Sequence, residues 1–179
     1  MKAVLDACVL FPSVLREILM GVAGRGGFQP LWSARILGEW QRAAVRRGED
    51  VERVAVQAIA QLRGRWREAE IAADPVLEAR LWLPDDADAH VLATAITAQA
   101  GVIITLNLRD FPARALGPEG VVAQSPDDFL MERWLDTPAL VEAAVTDALA
   151  ATEATSGRAQ ALRPLLKRAK LPRLGKALG

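Results

Sequence analysis

A doubly wound α/β sheet with a small helical addition is the fold class this sequence predicts, on three observations. Short apolar runs at residues 2–5, 28–32, 102–105 and 120–123 alternate with stretches whose apolar residues fall at helical spacing, the order expected of strands joined by crossover helices. The run Val102-Ile103-Ile104-Thr105 is almost wholly apolar, as in a parallel strand covered on both faces. After Ser125-Pro126 only helical patterns remain, so the expected organisation is an α/β domain over 1–125 and an all-helical domain over 126–179.

Taken in order, Lys2 to Leu5 reads as a short buried strand. Pro12 stands where the first turn of a helix tolerates it, and Val14, Leu15, Ile18 and Leu19 mark an apolar helical face. Gly21, Gly24, Gly26 and Gly27 are expected to end that helix. Residues 28–32 form the second strand. Ser33 is a good N-cap for a helix that carries Ile36, Leu37, Trp40 and Ala44 on one side and ends near Gly48. Residues 51–70 continue helically, while 71–83 read as a strand or an irregular connection. A helix over 85–100 stops at Gly101, and the strands at 102–105 and 120–123 follow. Beyond them Phe129, Leu130 and Trp134 form one apolar stripe, residues 140–149 another, and Leu162, Leu165 and Leu166 a third.

With 179 residues, 51% of them hydrophobic, the chain can bury one sizeable core. No stretch approaches the roughly 20 apolar residues of a membrane span, and the N-terminus lacks the pattern of a cleaved leader. A soluble, cytoplasmic protein without a membrane partner is therefore expected. Cys8 is the only cysteine, which excludes an intrachain disulfide and a thiolate cluster and leaves a small buried hydrophobe as the expectation. His90 is the only histidine. A helix turns it about 200° away from Asp88, so a packed or surface imidazole is expected, and zinc sites and Ser-His-Asp triads have no support. The five tryptophans sit among apolar neighbours and are expected to pack in the core.

The carboxylates carry the chemistry. Asp6 ends the first strand, Glu39 lies between Ile36 and Trp40 in the second helix, Asp88 falls in the first turn of the helix opened by Asp85, and Asp110 follows the strand at 102–105. Acids at the carboxyl edge of a parallel sheet face the crevice where such sheets bind ligands. Carboxylates brought together there repel one another unless a cation joins them, and hard cations such as Mg²⁺ or Mn²⁺ take oxygen ligands and assist phosphodiester hydrolysis. Each acid also has a local explanation: Asp85 as an N-cap, Asp88 as a dipole-favoured acid three positions on, and Asp110 as a turn former before Phe111-Pro112.

The ordered series Val4-Leu5-Asp6-Ala7-Cys8-Val9-Leu10, Leu31-Trp32-Ser33-Ala34-Arg35-Ile36-Leu37-Gly38-Glu39, Leu83-Pro84-Asp85-Asp86-Ala87-Asp88-Ala89-His90 and Ile104-Thr105-Leu106-Asn107-Leu108-Arg109-Asp110 resembles a PIN domain over about residues 1–125. The resemblance implies a parallel sheet flanked by helices and a metal-dependent endoribonuclease, with the metal-binding acids falling on Asp6, Glu39 and Asp88. The helical segment from Pro126 is similar to the C-terminal domain of one VapC-type toxin subgroup. The fourth position departs from the commonest family pattern, because Asn107 stands where an aspartate is usual. Either Asp110 supplies the last carboxylate or a second ion is weakly held; Asp110 is the expected acid, with Asn107 orienting water or metal. Behind these ligands Thr105 and Asp85 are expected to orient them.

The expected cofactor is Mg²⁺ or Mn²⁺, and the expected partners are RNA, a small antitoxin protein and a second copy of the chain. The net charge of zero hides a split: no acid follows Glu153, and the seven basic residues beyond it leave residues 1–153 at a net charge of −7. Within that tail Arg163, Lys167 and Lys170 are candidates for RNA contact, or else the solvated side of a helix that packs by its leucines. A second function class stays open: an RNA-binding or regulatory module with attenuated metal binding and no cleavage.

Overall fold

The computed structural model describes residues 1–179. The chain runs β1 (Lys2–Leu5), α1 (Ala7–Leu10), α2 (Ser13–Gly24), β2 (Gln29–Ser33), α3 (Ala34–Val45), α4 (Glu49–Arg65), β3 (Glu70–Ile71), α5 (Pro75–Glu78), α6 (Ala89–Thr97), β4 (Val102–Ile104), α7 (Ala113–Leu116) and β5 (Val122–Gln124). Four helices follow: α8 (Pro126–Asp136), α9 (Pro138–Ser156), α10 (Leu162–Arg168) and α11 (Pro172–Leu178). Tertiary contacts divide the chain into two units, Met1–Phe11 with Gln29–Gln124 and Pro12–Phe28 with Ser125–Gly179.

The first unit holds a five-stranded sheet in the order β3-β2-β1-β4-β5. Every pairing is parallel, with Val4 opposite Leu31 on one side and Ile103 on the other. The apolar runs explain this: Ala3, Val4, Leu5, Ile103 and Ile104 are fully buried, as central strands under helices must be. The strand order reverses between β1 and β4, so the crevice at their carboxyl ends is the switch point where such sheets take ligands.

Local chemistry sets the helix starts that matter. The Ser33 hydroxyl accepts the Ile36 N–H at 3.2 Å and opens α3. Gly48, at φ +115°, opens α4 in a conformation that an L side chain rarely adopts. Glu49, Asp50 and Glu52 then sit in its first turn and Arg63 and Arg65 in its last, the arrangement the helix dipole favours. Gly48 thus begins a helix as well as following one. The helix expected over 85–100 is shorter: a 3₁₀ turn at Asp86–Asp88 leads into α6.

In the second unit α2 packs against α9, and Gly21 lies inside α2, where the expected break does not occur. A Cβ on Gly21 would come within 3.0 Å of the Ala144 Cβ, so the missing side chain serves close helix approach. Phe28 meets Phe129 edge to face, with ring centroids 5.0 Å apart. Ser125 caps α8 by accepting the Asp128 N–H at 3.1 Å. The buried Asp127 carboxylate accepts the Arg173 and Leu174 N–H groups at 2.8 and 3.0 Å. One side chain of α8 thereby satisfies two donors at the start of α11 that would otherwise lack acceptors. No helix is long and apolar enough to cross a membrane.

Candidate active site

Asp6 stands at the carboxyl end of β1, its N–H donating to the Ile104 carbonyl at 3.1 Å and its own carbonyl accepting from Val9 and Leu10. The backbone is therefore fixed by both sheet and helix, while the side chain makes no capping bond to α1. Instead the carboxylate is held from one side. The Thr105 hydroxyl donates to Oδ2 at 2.7 Å, and the Cys8 thiol donates to the same oxygen at 3.1 Å. Thr105 is fully buried and also accepts the Asn107 N–H at 3.0 Å. The Cys8 sulfur accepts the Leu106 N–H at 3.2 Å. One carboxylate oxygen is thus tied into the strand ends.

Asp88 reaches the site through a division of labour in the loop before α6. Asp85 Oδ1 accepts the Ala87 N–H at 2.9 Å and caps the 3₁₀ turn, so Asp88, at the N-cap position of α6, makes no capping bond of its own. Burial, together with the Asp6, Asp85, Asp110 and Glu39 carboxylates, pushes the Asp88 carboxyl up from 3.8 to about 6. Glu39 projects from the middle of α3 and lies 3.7 Å from the Arg35 guanidinium.

Asp6, Glu39, Asp88 and Asn107 line one cleft of about 540 Å³. Asp110 stands just behind: its carboxylate accepts the Asn107 side-chain amide, and its charge reaches Asp88. The acids share a cleft without closing on one another. No three Asp, Glu, His or Cys side chains are grouped tightly enough to hold an ion as they stand.

The donor set nevertheless suits a hard divalent cation. Every polar group offered to the cleft by these four residues is an oxygen or an amide, and Asp88 is raised by burial first and by the neighbouring carboxylates after it. Cys8 also lines the cleft, but burial and the Asp6 charge push its thiol up to about 12. It stays protonated near neutrality and is no thiolate ligand for a soft metal.

Two residues behave differently from the sequence expectation. Cys8 is half-buried and belongs to the polar network around Asp6, because the short helix α1 turns it back toward the strand ends. His90 is buried, as one expectation had it, but its Nε2 lies 2.9 Å from Glu39 Oε1. The approach is off the line of a hydrogen bond, and neither ring nitrogen has a hydrogen-bond partner. No sequence signal links these two, since the contact joins α3 to α6. Trp32 and Trp40 are buried as expected, whereas Trp82 is 56% exposed, with the Arg114 guanidinium 5.2 Å from its ring centroid.

The basic candidates lie in the other unit. Arg163 and Lys167 are exposed on α10, whose Leu165 and Leu166 are buried, and Lys170 is exposed in a left-handed turn at φ +64° before α11. Arg173 is already engaged, its guanidinium paired with Asp128.

The PIN domain family matches residues 2–109. This chain belongs to the PIN domain family. A protein of Mycobacterium tuberculosis, provisionally named ribonuclease VapC50, is 50% identical over 46 residues, which cover 26% of this chain and 27% of that protein. No solved structure matches the chain.

Proposed function

We propose that this PIN-domain protein is a metal-dependent endoribonuclease and the toxin of a bacterial toxin–antitoxin pair, acting in the cytoplasm. The observation that carries the reading is the convergence of Asp6, Glu39 and Asp88, from three separate elements, on one cleft at the switch point of the sheet. The partial similarity to a VapC ribonuclease supports the choice of RNA and of an antitoxin partner. In this reading residues 1–125 supply the nuclease and 126–179 a helical module, with Arg163, Lys167 and Lys170 available for RNA contact. A homodimer is an expected assembly.

Asp6, Glu39 and Asp88 would hold Mg²⁺ or Mn²⁺, with Asp110 or Asn107 completing the set. A bound divalent cation supplies charge neutralisation at the phosphodiester and makes water more acidic. The protein's share is positioning. Thr105 and Cys8 occupy Oδ2 of Asp6 and so fix the rotation of its carboxylate. Asp85, by capping its own turn, leaves Asp88 free to face the cleft. Water attacking phosphorus in line would form one P–O bond as the bond to the leaving ribose oxygen breaks, with the water's proton passing through solvent to that oxygen, and no covalent intermediate is needed.

Asp6→Asn tests this directly: Mg²⁺- or Mn²⁺-dependent cleavage of RNA should vanish while the thermal unfolding profile is retained. Full activity in a folded Asp6→Asn protein removes the scheme. One observation favours a second reading, an RNA-binding module without cleavage. Asn107 lines the cleft where the family usually has an acid, and Asp110 is engaged by the Asn107 amide. RNA binding with no cation-dependent cutting would decide for that module.

A further inference from the structure

The acidic cleft has a basic side that the nuclease reading does not use. Arg46 and Arg47 line the same cleft as Asp6, Glu39 and Asp88. Both follow the last residue of α3, and Arg46 lies seven residues beyond Glu39, hence on the same helical face and about 10 Å further along the axis. Basic residues at a helix C-terminus complement the helix dipole. That accounts for their charge but not for where their side chains stand. Neither is ion-paired, although Arg35, Arg53 and Arg63 of the same unit each reach a carboxylate. Arg47 is held by an aromatic surface instead, with its guanidinium 5.8 Å from the Phe11 ring centroid.

A polyanion approaching this cleft meets carboxylates that already repel one another, so a flanking cationic patch is what lets the strand dock. Two unpaired guanidiniums in one cleft match phosphate oxygens, which they can bind in bidentate fashion. We propose that Arg46 and Arg47 form a phosphate subsite that grips the backbone of single-stranded RNA beside the nucleotide aligned with the carboxylates. This rests on the RNA-directed reading above, but not on cleavage. Phe11 acts as the support that keeps Arg47 aimed into the cleft.

The test is the full-length chain carrying Arg46→Gln and Arg47→Gln together. It is compared with the conservative pair Arg46→Lys and Arg47→Lys, and with Arg80→Gln as a control on a surface arginine outside the cleft. Binding of a short fluorescent single-stranded RNA is followed by anisotropy across a salt series in an Asp6→Asn background. Turnover is measured in the parent background. The double glutamine variant should lower the slope of log affinity against log salt by about 1.4, that is about 0.7 per lost contact on a single strand. It should also raise KM about tenfold with little change in kcat, the mark of lost ground-state binding, and the lysine pair should restore most of the salt slope.

If the glutamine pair behaves as Arg80→Gln does, the subsite is wrong and the nuclease reading stands. If RNA binds with the expected arginine dependence but is never cut, the nuclease reading falls and the subsite stands. A parent protein that does not bind RNA overturns both.

Discussion

The aspartates of the cleft and those at the start of α8 are the same side chain put to opposite uses. Asp127 is buried, yet two backbone N–H groups saturate its carboxylate, and Asp128 accepts both the Ser125 hydroxyl and the Arg173 guanidinium. Asp88 is partly buried among four other carboxylates with no donor facing its side chain, and burial first, then those charges, push it up to about 6. A satisfied carboxylate is structure. A crowded and unsatisfied one marks a place where the balance of charge calls for a ligand. The difference teaches where to look for function in this chain: in a cleft whose acids keep carboxylate oxygens that the fold does not saturate.

The largest break in that comparison should come from Asp6. Replacing it with Asn should cut RNA cleavage by about 10³-fold or more, the scale of removing a group central to transition-state charge, with unfolding temperature maintained or raised. The next effect should come from Thr105→Val, which removes the shortest bond to Asp6 Oδ2 and the acceptor of the Asn107 N–H. Loss of an orienting partner of this kind costs about 10–100-fold in metal affinity or activity, and calorimetric titration with Mn²⁺ would measure it. Unchanged Mn²⁺ affinity would show that Asp6 needs no such support.

Asp127→Ala sharpens the other side. It strands two donors at the start of α11 and should lower stability by about 2 kcal/mol, read as a fall in unfolding midpoint, without lowering kcat. Equal damage to turnover would mean that the acid is not merely structural.

The smallest effect concerns pH. The Asp88 pKa rises on folding from 3.8 to about 6, so the folded state binds this proton more tightly than the unfolded one. The stabilisation that proton gives is complete below pH 4 and is lost as pH climbs through 6. Asp88→Asn should therefore raise stability at pH 7.5 by about 1 kcal/mol after solvent screening is allowed for, and have no effect at pH 4. A fall in melting temperature at pH 7.5 would contradict the electrostatic account. By the same linkage, cation binding should weaken as pH drops below 6, because the ion must displace the Asp88 proton.

Much of the sheet was legible because its central strands β1, β2 and β4 are largely buried on both faces, and such strands declare themselves as short apolar runs. Ser33 and Asp85 were readable as caps for the same local reason. The helix at Ala7–Leu10 and the two-residue strand at Glu70–Ile71 were not, since neither carries a full period of any pattern. Gly21 misled because a glycine that permits helix contact has the same sequence as one that ends a helix; only Ala144, far away in the chain, distinguishes them. Arg46 could have been found from the i, i+7 relation to Glu39.

The sequence by itself determined the alternation of elements, the caps, and which acids close strands or open helices, because those depend on neighbours within a turn or two. Only the tertiary structure decided that Asp6, Glu39 and Asp88 look into one cleft, that Cys8 and Thr105 share a single oxygen of Asp6, and that His90 stands against Glu39. Those facts depend on which strand lies beside which, and a parallel sheet ordered β3-β2-β1-β4-β5 brings together residues about a hundred positions apart through contacts that no local pattern encodes.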